Sequence, residues 1–102
     1  MIQSHTRFNG IHPGAILKRE LKKRSIKPIE LASEVGEHKQ TISAILNERR
    51  GINANLSVKL AGYFQIDPLF YMQLQAAFEV QQILNRQQLA NRTPNLSIIR
   101  RV

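Results

Sequence analysis

Residues 28–47, PIELASEVGEHKQTISAILN, carry the most informative pattern in this chain of 102 residues. Apolar residues recur at helical spacing on both sides of Gly36, which predicts two short helices, the second over residues 38–47. Pro28 suits the first turn of the first helix because proline has no N–H to leave unpaired there. Gly36 suits its end, since glycine accepts the left-handed backbone conformation. About three turn residues then separate the helices, as a helix-turn-helix motif requires.

Four further residues of this stretch fit the crossing of two such helices. Ala32 lies four residues before Gly36, where a small side chain lets the helices approach closely. Val35, Ile42 and Ile45 fall where each helix must bury a side chain to fix the crossing angle. A short helical hairpin can carry the same pattern by chance, so the pattern favours DNA binding over other functions without establishing it.

The exposed side of the second helix is the predicted DNA-reading surface. Gln40 can make two hydrogen bonds to adenine in the major groove, and Lys39 can reach a guanine edge or a phosphate. Nearby hydroxyl groups can bind phosphate oxygens, and polar residues just beyond the helix can grip the DNA backbone. The predicted DNA-binding residues are Lys39, Gln40, Thr41, Ser43, Ala44, Asn47, Arg49 and Arg50. The alternative is that this set forms an ordinary solvated helix face.

Start and stop signals divide the whole chain into three parts. An N-terminal arm is predicted over residues 1–12, one helical domain over residues 13–92 and a short tail over residues 93–102. A chain this short forms one domain, because chains split only when the core outgrows about 250 residues. The periodicity predicts five helices, which is an all-α fold.

The helix boundaries follow from proline, glycine and capping residues. The first helix is predicted to begin at Gly14, and the fourth is predicted to be capped by Asn55. Asp67 followed by Pro68 has the pattern of an N-cap with proline at the first helical position. The fifth helix, which opens there, is predicted to be long and to continue towards Arg92.

The fifth helix carries a wide apolar stripe. It is wide enough to pack on the protein's own core and still leave an apolar face over. We expect this face to join two copies of the chain, and the predicted dimer interface consists of Leu69, Ala76, Val80, Ile83 and Leu84. A two-fold homodimer would place its recognition helices about 34 Å apart, one turn of DNA. The alternative is that the whole stripe belongs to the core.

Charge favours a polyanionic partner. Fifteen lysines and arginines against seven acids give a net charge of +8, which favours nucleic acid ahead of a membrane surface. The helix-turn-helix makes double-stranded DNA the expected nucleic acid. Residues 1–27 carry +6, residues 28–52 carry −1 and residues 53–102 carry +3. The positive field therefore comes chiefly from the first helix, whose basic side chains either flank the DNA backbone or form a solvated face.

Enzymatic chemistry is not predicted. The chain has no cysteine, which excludes disulfides, thiolate metal sites and a cysteine nucleophile. Its three histidines lack metal-ligand spacing and there is no glycine-rich phosphate loop, so we expect no metal and no cofactor. His12, before Pro13, is interpreted as a capping or packing residue. A small basic ribonuclease would fit the charge, but it needs a sheet and a catalytic base that this helical pattern does not offer.

Membrane association is not expected either. No stretch approaches the roughly 18 apolar residues of a membrane-spanning helix. The N-terminus, MIQSHTRFNG, has no apolar signal region. These features predict a cytoplasmic protein without a membrane partner.

Four segments resemble one protein family. IHPGAILKREL at residues 11–21, the helix-turn-helix, LNERRGINANLSVKLAGYF at residues 46–64 and DPLFYMQLQ at residues 67–75 are similar to HigA-type antitoxins. These antitoxins belong to the lambda-repressor-like (Xre) helix-turn-helix family. The HPG at residues 12–14 and the MQLQ at residues 72–75 distinguish the HigA group from generic repressors.

The resemblance implies a lambda-repressor-like domain of five helices with a long C-terminal helix. It also implies a dimer that binds its own operator and represses its own operon. A further implied partner is a cognate toxin, a small ribonuclease encoded beside the protein, which the protein neutralises. A stand-alone transcriptional repressor of the same fold is the first alternative.

Three residues depart from the family pattern. Glu37 stands where an apolar residue is usual, His38 where Ser or Thr caps the recognition helix, and Glu48 where Gly is common. The acidic Glu37 and the −1 charge of the motif suggest a second alternative, a protein-interaction module that no longer binds DNA.

Overall fold

The computed structural model describes residues 10–90, so the predicted tail, most of the predicted arm and the expected helix end at Arg92 lie outside this part of the chain. Within it there are five helices and no strand, which confirms the predicted all-α architecture. The helices are α1 (Pro13–Lys23), α2 (Pro28–Val35), α3 (Lys39–Leu46), α4 (Ala54–Phe64) and α5 (Phe70–Ala90).

The pair α2 and α3 confirms the helix-turn-helix around Gly36. Pro28 is the first residue of α2, and Gly36 is left-handed, with φ 69° and ψ 37°. The N–H groups of Gly36 and Glu37 donate to the carbonyls of Ser33 and Ala32, which closes the helix end. Ala32 is buried, as the close crossing of the two helices requires.

One largely aliphatic core holds the five helices together. Each helix contributes a side chain that is at most 2% exposed, namely Leu17, Leu31, Ile42, Leu60 and Tyr71. Burying a large aliphatic side chain stabilises the fold by about 1.5–3 kcal/mol. Because α3 takes part in this core, its position is set by the packing of the whole domain.

Helix α1 lies against α3 at Gly14. A Cβ atom at this position would lie 1.8 Å from the carbonyl oxygen of Ile45, so a larger residue must push the two helices apart. His12 is the N-cap of α1, and its Nδ1 atom accepts a hydrogen bond from the Gly14 N–H at 2.8 Å. The predicted capping role of His12 is confirmed, and the helix begins one residue before Gly14, at Pro13.

The predicted N-cap of α4 is wrong by two residues. Asn53, and not Asn55, precedes the helix, and its Oδ1 atom accepts from the Leu56 N–H at 2.8 Å. The cause is tertiary, because Ile52 is buried and its N–H donates to the side chain of Gln75. This contact holds the chain at the entrance of the helix, so the first asparagine becomes the cap.

Helix α5 begins later than predicted. The Asp67 side chain accepts the N–H of Leu69 at 2.7 Å, as predicted for an N-cap, but the Asp67 carbonyl accepts the N–H of Phe70 at 3.0 Å, so the first turn is tighter than an α-helix. The buried Ser57 hydroxyl donates to the Pro68 carbonyl at 2.8 Å, and the first bond of helical spacing runs from the Gln73 N–H to the Leu69 carbonyl. The regular helix therefore begins at Phe70.

Three of the described helices end on a left-handed residue other than glycine. Ser25, Glu48 and Gln65 have φ values of 57°, 62° and 59°. After each of them, the N–H of the next residue donates to the carbonyl five positions back, as it does around Gly36. The left-handed conformation costs an L-residue about 1–2 kcal/mol, so these three ends have no glycine signal in the sequence.

Candidate nucleic-acid interface

Helix α3 separates a buried side from an exposed polar side. Ile42 and Ile45 are 0% and 1% exposed, which fixes the rotation of the helix on the core. Lys39, Gln40 and Ser43 are exposed. The predicted reading residues therefore project from a helix that cannot rotate without exposing both isoleucines.

A shallow groove beside α3 brings together four of the predicted DNA-binding residues. Its lining consists of Lys39, Gln40 and Ser43 of α3, Arg49 beyond the helix, and Pro28 and Ile29 of α2. Ile29 is 56% exposed at this edge. An amide, a hydroxyl and two positive charges thus surround one apolar edge, which is a set of groups that can bind base edges and phosphates.

Backbone hydrogen bonds fix the direction of residues 48–52, which we call the arginine turn. Glu48 is left-handed, and its N–H donates to the Ile45 carbonyl at 3.0 Å. The N–H of Arg49 donates to the Ala44 carbonyl at 2.8 Å. These two bonds close the end of α3 and direct Arg49 into the groove.

Four of the predicted DNA-binding side chains also contact one another. Arg50 Nη1 donates to Thr41 Oγ1 at 3.4 Å. Asn47 Nδ2 donates to the Ser43 carbonyl at 2.9 Å and lies 3.4 Å from the Ser43 hydroxyl oxygen. Thr41 and Ala44 are half-buried, whereas the other six predicted residues are exposed. All eight predicted residues thus lie on or just beyond α3, with the exposed ones free to reach a ligand.

The start of α3 holds two of the residues that depart from the family pattern. His38 is the N-cap, but its side chain makes no capping hydrogen bond. The Lys59 ammonium of α4 lies 3.2 Å from a carboxylate oxygen of Glu37. A partly exposed ion pair of this kind contributes little to stability. The pair does place the positive charge of Lys59 beside Glu37, the acidic residue that precedes α3.

Gln75 is a functional candidate to which the sequence analysis assigned no role. The only signal for it in the sequence is that it belongs to the MQLQ segment. It is 8% exposed, its amide oxygen accepts from the Ile52 N–H at 2.8 Å, and its amide nitrogen donates to Glu79 at 2.8 Å. A Cβ atom at Gly51 would lie 2.7 Å from the Gln75 amide oxygen. The arginine turn is therefore held against α5 directly behind Arg50.

His12 joins the start of α1 to α5. Its ring is buried and packs edge-on against Phe78, with 4.8 Å between ring centres. Burial lowers the pKa of His12 below 6.5, and the Glu48 carboxylate partly opposes this effect. The neutral ring is the form that can accept the Gly14 N–H at Nδ1.

The basic residues of α1 are mostly directed to solvent. The exposed ones without an ion pair in the described residues are Lys18, Arg19, Lys22 and Lys23. Arg24 differs, because it pairs with Glu20 and lies over the Phe64 ring at 4.8 Å. Since α1 packs against α3, these exposed cations lie on a helix that adjoins the recognition helix.

The predicted dimer face lies apart from the core. The residues concerned are Leu69, Ala76, Val80, Ile83 and Leu84, all of them exposed. The four larger side chains are 45–58% exposed, whereas Tyr71 on the same helix is 2% exposed. At about 3.6 residues per turn, the four members from Ala76 onward share one side of α5. The alternative that the whole stripe belongs to the core of the protein is therefore wrong.

Within residues 10–90, no helix is long and apolar enough to cross a membrane. Among the same residues, no three histidine, aspartate or glutamate side chains come together as a metal site.

Comparison with known proteins shows the family to which this fold belongs. Residues 17–71 match the family model described as Helix-turn-helix, which covers more than half of the chain. The chain therefore belongs to the helix-turn-helix family, in its lambda-repressor-like branch. The family and fold are those of DNA-binding regulators and antitoxins.

Two solved structures confirm the resemblance to HigA-type antitoxins. An addiction module antidote protein of the HigA family from Coxiella burnetii is 32% identical, with a TM-score of 0.74 over 79% of this chain and 89% of that chain. The antitoxin HigA of Pseudomonas aeruginosa, solved with the higBA promoter, is 32% identical, with a TM-score of 0.73 over 85% of this chain and 98% of that chain.

Curated relatives carry other names. Virulence-associated protein A' of Dichelobacter nodosus is 34% identical over 76 residues, which is 74% of this chain. The match spans 66% of that relative's length, just under two thirds. An uncharacterized HTH-type transcriptional regulator of Haemophilus influenzae is 34% identical over 88 residues, 81% of this chain and 82% of that protein.

Proposed function

We propose that this protein is a sequence-specific DNA-binding antitoxin that represses its own operon and neutralises a ribonuclease toxin encoded beside it. The observation that carries the proposal is the groove beside α3, which is lined by Lys39, Gln40, Ser43 and Arg49. A relative solved with the higBA promoter supports DNA as the ligand. The toxin partner is supported only by the HigA-family names of the structural relatives.

The side chains divide between base reading and phosphate binding. Gln40 is exposed near the start of α3 and can pair with adenine through its amide. Arg49 and Arg50 lie beyond the helix end, where their charges can contact phosphates. Because residues 28–52 carry −1 in total, specificity depends on uncharged groups, and the exposed cations of α1 add attraction without sequence preference.

We infer that the DNA-bound form is a homodimer joined through the exposed stripe of α5. A single small domain with one recognition helix reads one half-site, and a two-fold axis presents two such helices about one DNA turn apart. The exposed side chains of Val80, Ile83 and Leu84 are the apolar surface that such a contact would bury.

The reading role is tested on duplexes from the region upstream of the gene and on random duplexes. Gln40→Ala should cost roughly 1–3 kcal/mol at one base pair and relax the preference there. Arg50→Ala should instead weaken binding to all sequences alike and reduce the slope of log K against log salt by about one. Equal losses for Gln40→Ala on specific and random DNA would remove Gln40 from base reading.

The toxin role needs a separate experiment. The neighbouring reading frame is expressed alone and together with this protein, with growth and co-purification as readouts. We expect the neighbouring product alone to arrest growth and co-expression with this protein to relieve the arrest. We also expect the two proteins to purify as a complex. Absence of a neighbouring frame, or arrest that co-expression does not relieve, would contradict the antitoxin part and leave operator binding standing.

The stand-alone repressor remains a second candidate because the Haemophilus relative is described only as an HTH-type transcriptional regulator. Its affinity for the upstream duplex should not change when the neighbouring product is added. An interaction module without DNA binding would instead show no preference for the upstream duplex over random DNA at moderate salt.

A further inference from the structure

We propose that Gln75 is a positioning residue that holds the arginine turn, residues 48–52, in the conformation that presents Arg49 and Arg50 to DNA. This inference rests on the proposed DNA-binding function and assigns a role to a residue on α5, outside the helix-turn-helix. Gln75 would touch no DNA itself. It would act through the backbone of the turn.

Both ends of the Gln75 amide are committed to neighbours. The oxygen accepts from the Ile52 N–H at 2.8 Å, and the nitrogen donates to Glu79 Oε2 at 2.8 Å. The Ile52 side chain is 2% exposed and Gln75 itself is 8% exposed. The bond from the Ile52 N–H to Gln75 is buried, so water can reach this N–H only if the loop opens. A buried backbone N–H needs a partner, and Gln75 supplies it.

A steric fit adds to these hydrogen bonds. The Gln75 amide lies so close to Gly51 that a Cβ atom there would be 2.7, 2.8 and 2.9 Å from its oxygen, nitrogen and carbon atoms. The turn and the side chain therefore pack backbone against amide, and a larger residue at position 51 would displace the Gln75 amide.

The arginines lie between two fixed points. At one end the Arg49 N–H donates to the Ala44 carbonyl at 2.8 Å, and at the other the Ile52 N–H donates to Gln75. Arg50 lies within this short span, with its guanidinium 3.4 Å from the Thr41 hydroxyl oxygen. A restrained backbone reduces the conformational entropy that the side chains lose on binding. Freeing the Ile52 end should therefore weaken the phosphate contacts selectively.

The test compares two variants of similar size and charge. Gln75→Met fills the space but removes both hydrogen bonds. The double variant Gln75→Glu with Glu79→Gln exchanges the two side-chain types, so it keeps an acceptor for the Ile52 N–H, a donor between the two side chains and the same net charge. Binding to a random duplex of about 20 base pairs, two helical turns, is measured over a range of salt concentrations.

For Gln75→Met we expect the Kd to rise roughly 2–10-fold and the salt slope to fall by about one. The exchanged pair should restore both values. In an Arg49→Ala/Arg50→Ala background, Gln75→Met should cause no further change in Kd, because its effect passes through those side chains. Amide hydrogen exchange at Ile52 should be faster in Gln75→Met than in the native chain.

Several results would overturn the assignment. An unchanged salt slope with a lower melting temperature would reduce Gln75 to a residue of general stability. If Gln75→Met lowers the affinity equally in the Arg49→Ala/Arg50→Ala background, Gln75 acts through some other contact. The same conclusion would follow if sedimentation showed that Gln75→Met dissociates the dimer. If the native chain binds no duplex at all, the proposed function fails. Unchanged exchange at Ile52, by contrast, would refute the Gln75 contact alone.

Discussion

Gly14→Ala is the substitution that best tests how α1 positions the recognition helix. Gly14 lies in the first turn of α1, against the end of α3. An alanine Cβ would lie 1.8 Å from the Ile45 carbonyl oxygen and 2.8 Å from its carbonyl carbon. That oxygen also accepts the N–H of Glu48, so the added methyl group presses directly on the arginine turn.

The size of the effect follows from this overlap. A carbon and a carbonyl oxygen in contact lie about 3.3 Å apart at the closest, so the helices must separate by roughly 1.5 Å. Overpacking of a core costs about 1–3 kcal/mol, and the upper end applies because a backbone carbonyl cannot rotate away as a side-chain tip can. A loss of about 3 kcal/mol should lower the melting temperature by about 12 °C or more in a domain of this size.

Thermal unfolding and DNA binding are measured on Gly14→Ala and on a matched control, Gly62→Ala. Gly62 lies in α4, and a Cβ there meets nothing within 4 Å, so alanine should stabilise the helix by about 0.5–1 kcal/mol. Binding is compared at a temperature where both variants are folded, and the Gly14 variant should still bind more weakly. A Gly14→Ala protein as stable as the native chain would refute the close approach of the two helices.

Five other substitutions, one of them a control, and one change of pH test separate features. Glu48→Asn should raise the free energy of unfolding by about 1 kcal/mol, because asparagine tolerates the left-handed conformation better, and urea unfolding would show whether it does. His38→Ser supplies the missing capping oxygen and should also add about 1 kcal/mol; no gain would mean that another group already satisfies those N–H groups. Because burial lowers the pKa of His12 in the folded state, the unfolded chain binds a proton that the folded chain does not, and the melting temperature should fall between about pH 7.5 and 5.5. His12→Asn should flatten this decline, and an equal decline would place its cause elsewhere. Val80→Asp should shift sedimentation from dimer to monomer while Gln82→Asp, exposed on another side of α5, should not; identical profiles would contradict the dimer face.

Local signals in the sequence were sufficient for the helix-turn-helix. Pro28 restricts its own backbone and Gly36 accepts a left-handed one, and the structure has them at the first position of α2 and at its left-handed end. The apolar spacing on α3 likewise predicted which side is buried, with Ile42 and Ile45 in the core. Such features need no partner elsewhere in the chain, which is why they can be read from residue type alone.

The errors lie where a distant residue determines the local structure. Asn53 caps α4 in place of the predicted residue because Gln75, on another helix, holds the preceding loop. Pro68 precedes α5 instead of beginning it, and its carbonyl accepts from Ser57 of α4. Neither of these partners is near in sequence, so capping and turn preferences were outweighed by packing.

The groove beside α3 is more positive than the net charge of residues 28–52 suggests. Residues 28–52 sum to −1, but none of the four acids in this segment lines the groove beside α3. The Glu37 carboxylate lies 3.2 Å from the ammonium of Lys59, and the Glu30 side chain accepts a backbone N–H at the start of α2. Lys39 and Arg49 instead line the groove beside α3. The groove is therefore more positive than its segment, and the interaction-module hypothesis loses the electrostatic premise that motivated it. What then separates an operator from any other duplex is the hydrogen bonding of the uncharged side chains on α3, a term that salt screens far less than it screens phosphate binding.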